Sequence, residues 1–581
     1  MNDRLLPLLA LLALTVLVFA QVGTFSFVDY DDPVYVSENP ALADGLTPAV
    51  VHYSLTTPEA NLWHPLSWLS HALDVSLFGQ ENAGPHHLHN LVLHLVCVVL
   101  VYSLSLAITR RWKLPNARGI ALLAAALFAV HPLHVESVAW VSERKGLLSA
   151  AFSLGCLLAH FRRGFTWRVI CAVLLALALL AKPSAVVVGP LLVALDAFVL
   201  RRAGFKDGIA DVTGLIKAQL FDKWLLILLS VAAAMIAIQM QSGSSHGHFA
   251  APLEARLTTL PARFGYYAFR TIWPDNLNFS YPVPRGFAFQ VLLIGGAALL
   301  IGGGFLALKF WRSRPWIGFA WAWAVICFLP VSGLTPVGVS FTTDRYTYLM
   351  LCGPFLAIAC MILPWRSTLS SPLLQRLVRV GLLLLVGLLA ALAHLQTRVW
   401  ANSYTLFEHS IVAQPYETTG LVNLGTLLDR DGRPEEAKSY YEKVIELKPS
   451  DYISHHNLGK IYGQAGDRTA AETSYRAALE VYPNYPPSLL NLALLRMQNH
   501  QSDPAALPEA IALLKRACGP QSRIDRPLFL NSLVDAQMLS RDIPAAISTL
   551  KEALAQPTNN PALRAELERK QAKLQKVGAW Q

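Results

Sequence analysis

Charge is scarce in this chain. Charged residues make up 15% of its 581 residues, against about 25% in an average soluble domain, while apolar residues reach 54%. So few charges exclude a disordered chain and leave more apolar surface than soluble cores can bury. Cysteine is also thin. The seven residues, Cys97, Cys156, Cys171, Cys327, Cys352, Cys360 and Cys518, show no CxxC spacing. A disulfide scaffold and a cysteine zinc site are therefore excluded, and small apolar filler is the expected role. A soluble basic face is missing as well. Residues 1–396 carry 27 Lys and Arg against 18 Asp and Glu, whereas residues 397–581 carry 21 against 20. Nine of the ten net positive charges thus belong to the apolar part, where short basic clusters mark cytoplasmic loops. Nucleic acid is not an expected partner.

What is present is a series of apolar runs: 5–22, 88–108, 119–135, 147–161, 167–181, 184–200, 224–240, 288–308, 315–330, 346–364 and 379–396. Several fall short of the roughly 20 residues a crossing helix needs, so their ends must extend into less apolar residues beside a protein-lined cavity. The first run, behind Arg4, reads as a retained helix and not a cleaved leader. Basic clusters fall at alternate ends: Arg4; Arg110, Arg111, Lys113 and Arg118; Arg162, Arg163 and Arg168; Arg201, Arg202 and Lys206; Lys309, Arg312 and Arg314; Arg366, Arg376 and Arg379. Placing all of them inside gives about eleven crossings and a C-terminal domain outside. It also requires 256–272, with Arg256, Arg263 and Arg270, to be re-entrant or interfacial.

Beyond residue 396 the pattern becomes a 34-residue helical repeat. Leu424-Gly425, Ala437, Tyr441 and Pro449 recur as Leu458-Gly459, Ala471, Tyr475 and Pro483. This is the tetratricopeptide pattern: small residues let two helices pack closely, the tyrosines fill the gap and the prolines stop the second helix. A third unit resumes at Asn491-Leu492-Ala493 and ends with Ala510, Leu514 and Ala517. A fourth carries Leu533, Ala546, Leu550 and Ala553, and Lys570 to Lys576 reads as a cap. Such arrays bind proteins or peptides.

Chemistry has one natural place. The outer loop 23–87 opens with Asp29-Tyr30-Asp31-Asp32, three carboxylates within four residues. Like charges this close raise one another's proton affinity, which suits a general base or a metal site. The loop goes on through His64, His71 and Asp74 to His86, His87 and His89. His86 and His89 share a helix face, with His94 turned away. A second outer segment holds His131, His134 and Glu136, without HExxH spacing, then Glu143, Arg144 and Lys145, which read as an interfacial anchor. Lys182 interrupts an apolar run, and Asp344-Arg345 stands at the mouth of another. Cations there are expensive; they pair with acids or line a substrate path. Arg345 suits bidentate phosphate binding, or a pair with Asp344, and Lys182 supplies a point charge. His246, His248 and Arg256 are lesser candidates in the loop 241–287. A lipid-phosphate donor reached from the bilayer would use all these features: carboxylates to deprotonate an acceptor, cations to hold the leaving phosphate, aromatics to stack on sugar.

The runs WHPLSWLSHALDVSLFGQENAGPHHLHN, HPLHVESVAWVSERKGLLSAAF, AKPSAVVVGPLLVALD and TPVGVSFTTDRYTYL, with the repeat tail, resemble bacterial relatives of the transmembrane and tetratricopeptide-repeat (TMTC-type) proteins, members of the membrane-embedded GT-C glycosyltransferases. The resemblance implies an all-α fold: a GT-C-like bundle over 1–396 and a soluble tetratricopeptide solenoid over 397–581. It implies sugar transfer from a polyprenyl-phosphate donor to a protein or glycan hydroxyl on the outer face of a bacterial inner membrane. Asp31 or Asp32 would be the base, with Asp29 a weaker candidate. Arg345, Lys182 and Arg256 would hold the donor phosphate, and Tyr30, His64, His89, His131, Glu136, Arg144 and Asp344 would line the site. The repeats would recruit the acceptor or a protein partner. Animal members transfer mannose to proteins; no motif here selects a sugar. Asp29-Tyr30-Asp31 formally reads DxD, so a divalent metal stays open. The rival readings are a noncatalytic membrane scaffold for envelope or polysaccharide-export assembly and, third, a transporter.

Overall fold

The computed structural model describes residues 5–57, 63–200, 212–241, 252–334, 340–519, 526–556 and 560–576. Arg4, Arg201, Arg202, Lys206, His246 and His248 lie outside them. The described residues are helical almost throughout, with one isolated bridge between Tyr281 and Thr342. They form two compact units, 1–417 and 418–581.

In the first unit each apolar run lies on a helix or a bent helix pair. Among the described residues, five helices are long and apolar enough to cross a membrane: Leu6–Thr24, Ala83–Arg111, Pro183–Leu200, Gly286–Lys309 and Pro372–Trp400. Two bent pairs, Ala117–Val130 with Pro132–Ala139 and Asp344–Met350 with Cys352–Thr368, raise the number to seven if each is one span. The expected eleven is not reached on length and composition. Phe165–Ala181, Lys223–Ile236 and Pro315–Val331 are shorter apolar helices. Leu383, Leu384, Ile294 and Ile301 stand exposed on the long helices, as a lipid-facing surface requires. Arg110 and Arg111 close the helix Ala83–Arg111, where positive charge complements the helix dipole.

Both bends have proline causes. His131 precedes Pro132 and is held extended, because the proline ring disfavours α geometry in the residue before it; the axis turns by 58° there. Pro354 stands in the first turn of Cys352–Thr368, where it supplies no N–H and crowds the carbonyl four residues back; that pair bends by 57°. The short arms so released carry Glu136 and Arg345. Residues 256–272 lie on the helix Leu253–Ile272, which does not pass as a span. It packs against Gly286–Lys309 with backbones nearly touching. A Cβ added at Gly296 would lie 1.8 Å from the Pro261 carbonyl oxygen, and one at Gly265 2.3 Å from that of Leu292.

The division between the units falls at 417/418, later than the change in composition at 396/397. The helix Ser403–Ala413 is the reason. Ser403 bonds the backbone N–H and carboxylate of Asp29, Ser410 accepts from Asn278, and His409 lies 2.9 Å from the Leu277 carbonyl. The second unit holds four antiparallel pairs: Thr418–Arg430 with Pro434–Leu447, Tyr452–Gln464 with Arg468–Val481, Pro486–Gln498 with Ala506–Ala517, and Arg526–Leu539 with Ile543–Ala555; Pro561–Lys576 follows. Tyr441 presses on Gly425 and Tyr475 on Gly459, where an added Cβ would meet the rings at 2.8 and 2.6 Å.

Candidate functional site

The three neighbouring carboxylates have three different surroundings. Asp29 accepts from the Ser403 hydroxyl at 2.8 Å. Asp32 is wholly buried and accepts from Val28 N and Ser142 N, each at 3.0 Å, and from the Ser142 hydroxyl. Burial pushes its carboxyl up to about 6, against the hydrogen bonds that lower it. Asp31 is half-buried, and its carboxylate accepts no hydrogen bond among the described residues. Between them Tyr30 lies against Trp140 and Phe279, with centroids 5.4 and 4.9 Å away. Its hydroxyl pKa is raised by burial, with Arg345 opposing.

A network of charges adjoins this loop. Glu136 accepts from both the backbone N–H and the guanidinium of Arg345. Arg345 lies over the Trp140 ring at 5.3 Å and within 3.7 Å of Glu143. Glu143 in turn meets Lys182 at 3.0 Å and Lys145 at 3.7 Å. Burial works against ionisation of Glu143, but Lys182, Lys145 and Arg345 outweigh it and hold the pKa at about 2. Lys182 reaches inward because Pro183 keeps it extended at the end of Phe165–Ala181. Lys182, Arg345 and Tyr346 line one cavity of about 70 Å³, together with Ser149 and Ser184 and the apolar Val187, Val331 and Leu349. Among the described residues the cavity lining holds two cations, Lys182 and Arg345, and no carboxylate, beside an apolar wall. Such a cavity can hold a phosphate-sized anion with a greasy substituent.

The other expected residues are placed differently. Asp344 does not pair with its neighbour Arg345; both its oxygens accept from the Tyr281 hydroxyl at 3.0 Å. Arg144 is wholly buried, meeting Asp74 at 2.8 Å and donating to Asn90, Ser70 and the His86 carbonyl, with His89 also in reach. His89 lies 2.6 Å from Asp74. His64 is buried, and burial lowers its pKa to about 3. His131 accepts from Leu133 N and caps the turn after its bend. Arg256 donates to the Leu334 carbonyl and does not join Lys182 and Arg345 in lining the cavity.

The expected interfacial anchor at 143–145 is corrected: all three charges are buried, because Glu143 and Arg144 meet Lys182, Arg345 and Asp74 from distant segments, and Lys145, held by the Ser142 carbonyl and Glu143, lies over the Tyr35 ring at 4.3 Å. Glu143, Lys145, Ser142 and Trp140 belong to the cluster, as does Tyr281 through Asp344. The only local signal was the closeness of opposite charges in Ser142-Glu143-Arg144-Lys145; nothing local pointed to Tyr281.

The tetratricopeptide repeat family matches residues 419–451 and 452–485. Protein O-mannosyl-transferase Tmtc3 of Drosophila melanogaster is 24% identical over 496 residues, covering 74% of this chain and 53% of the relative. The mouse protein O-mannosyl-transferase TMTC3 is 24% identical over 458 residues, covering 73% and 48%. Drosophila Tmtc1 reaches 38% identity over 128 residues, 21% of this chain and 14% of that one. The chain thus spans about half the length of the TMTC3-type relatives it matches. Among solved structures, the MamA protein has 19% identity and a TM-score of 0.22, covering 29% of this chain and 84% of that one, too slight a likeness to carry an argument. The chain is a distant homologue of the TMTC protein O-mannosyltransferases over most of its length and carries tetratricopeptide repeats.

Proposed function

We propose that this protein is a membrane glycosyltransferase of the GT-C type, moving a sugar from a polyprenyl-phosphate donor to a hydroxyl of a protein or glycan. The observation that carries the reading is that the residue before a half-exposed carboxylate shares one tryptophan ring with an arginine that lines the cavity. Tyr30, next to Asp31, packs on Trp140, and Arg345 covers the same ring. Asp32 fastens the loop to Ser142, next to Glu143.

In the proposed reaction Asp31 takes the proton of the acceptor hydroxyl. The acceptor oxygen attacks the anomeric carbon, the bond from that carbon to the phosphate oxygen breaks, and the departing phosphate is held by Arg345 and Lys182. A single displacement inverts the anomeric centre. Asp32 positions the loop, and Glu136 and Glu143 orient the cations. The apolar wall of the cavity suits a donor arriving from the bilayer. The finer reading has about eleven crossings of a bacterial inner membrane, reaction on the extracytoplasmic face, and repeats that recruit the acceptor or a partner protein.

The test compares intact masses of envelope proteins and glycans from cells carrying the wild-type chain or Asp31→Asn. A sugar-sized increment should be present with wild type and fall by about 100-fold or more in the variant, at equal protein level. Equal increments would move the assignment to a noncatalytic membrane scaffold.

A further inference from the structure

A second polar cluster takes no part in this chemistry. His71 and Asp74 are three residues apart on Pro65–Phe78 and share a face. His86 stands in the first turn of Ala83–Arg111. Ligand atoms of the three lie within 4.8 Å of one another, and all three residues are buried.

Two features mark it off from an ordinary buried network. First, His71 is 0% exposed, and neither ring nitrogen has a hydrogen-bond partner among the described residues. A buried polar group left so is costly and calls for an explanation. Second, Nε2 of His86 lies 3.2 Å from the Gly79 carbonyl oxygen. A carbonyl only accepts, so that nitrogen carries the proton. In the neutral ring Nδ1 then presents a lone pair, and it faces Oδ2 of Asp74 at 3.5 Å. Two acceptors thus oppose each other with His71 alongside, an arrangement that a metal ion between them satisfies. A backbone carbonyl behind the imidazole is the arrangement that orients metal-ligating histidines.

Arg144 supplies positive charge to the same carboxylate, with Nη1 2.8 Å from Oδ2. Its other contacts are Asn90, Ser70, His89 and the His86 carbonyl, so it leaves His71 and Nδ1 of His86 unserved.

We propose that His71, Asp74 and His86 bind a divalent ion of the zinc class. Two imidazole nitrogens, which are borderline donors, favour zinc over magnesium or calcium, and one carboxylate oxygen completes a ligand set that zinc accepts. Bonds of about 2.1 Å put tetrahedral ligand atoms roughly 3.4 Å apart, so the side chains close inward on binding. The ion staples Pro65–Phe78 to Ala83–Arg111 across the turn at Gly79, and through Asp74 it positions Arg144.

The experiment uses the full chain in detergent, purified on a tag without histidine, stripped with a chelator and titrated with Zn²⁺ against a chromophoric competitor. One Zn²⁺ per chain is expected. Affinity should fall by about 100-fold or more in His71→Gln and in His86→Gln, and stay in His455→Gln, whose ring lies in the repeats beside the Pro449 carbonyl. Should the first two variants fail to fold, Co²⁺ added to the wild-type chain still decides: the intense visible bands of a four-coordinate site support the proposal, and their absence overturns it. Wild-type protein that binds no Zn²⁺, or folded His71→Gln that binds it undiminished, also overturns it.

Discussion

Asp31 and Asp32 are adjacent in the chain, yet burial separates what each can do. A carboxylate that takes a proton from a substrate needs room and free lone pairs, which Asp31 has; Asp32 is enclosed by Val28 and Ser142. Asp32 also gives the protein a specific pH signature. Its pKa is raised from 3.8 to about 6 by burial, so the native state holds this proton more tightly than the unfolded chain. The stability it contributes is complete below about pH 4 and is lost as pH rises through 6, an effect on the order of 3 kcal/mol. Glu143 has the opposite sign: its pKa falls from 4.5 to about 2, so its contribution is present above 4.5 and lost only as pH falls through 2. Between pH 4.5 and 7.5 the melting-temperature advantage of wild type over Asp32→Asn should therefore shrink as pH rises. A gap constant over that range would show that burial does not govern this carboxyl. The three clustered acids were legible in the sequence. Which of them stays open was not, because the residue that encloses Asp32 lies 110 positions away. Asp344-Arg345 read as a natural pair for the same reason. Their actual partners, Tyr281 and Glu136, come from other segments.

Helices and their ends were more legible than side-chain partners. Every apolar run is helical, and the small-residue and tyrosine positions of the repeat meet as the 34-residue period implies. Apolarity does not report breaks, however. The runs 119–135 and 346–364 look continuous, but Pro132 and Pro354 bend their helices and free the arms that carry Glu136 and Arg345. Nor did the arginine-rich stretch 256–272 disclose how closely it packs. Its contact with Gly286–Lys309 depends on the missing side chain of Gly296, where a Cβ would overlap the Pro261 carbonyl at 1.8 Å. Backbone cannot yield as a flexible side chain does, so the two helices must separate. Gly296→Leu should destabilise the folded protein by about 3 kcal/mol or more, beyond the usual cost of overpacking. Gly295→Leu, one residue along with no atom within 4 Å, should cost far less. Thermal unfolding of both variants in the same detergent measures the difference, and equal melting temperatures would contradict the close packing.

At the scale of the whole chain, the uneven charge is the strongest sequence signal, and it bears on sidedness. The basic excess lies in residues 1–396, the repeats are nearly neutral, and the alternating clusters put the repeats outside if the number of crossings is odd. Parity turns on Leu253–Ile272. It is helical over 20 residues but too polar to pass as a span; were it to cross, the repeats would move to the cytoplasm. The distribution of cysteine makes this directly measurable. All seven cysteines are buried, and buried thiols react slowly, so the native chain should give little background with a maleimide. Ser450 is exposed in the turn between Pro434–Leu447 and Tyr452–Gln464. Ser450→Cys should therefore be labelled by a membrane-impermeant maleimide in intact cells, at the level reached after lysis. Labelling confined to lysed cells would place the repeats inside. It would require an even number of crossings, and it would withdraw the repeats from any role with an acceptor on the outer face.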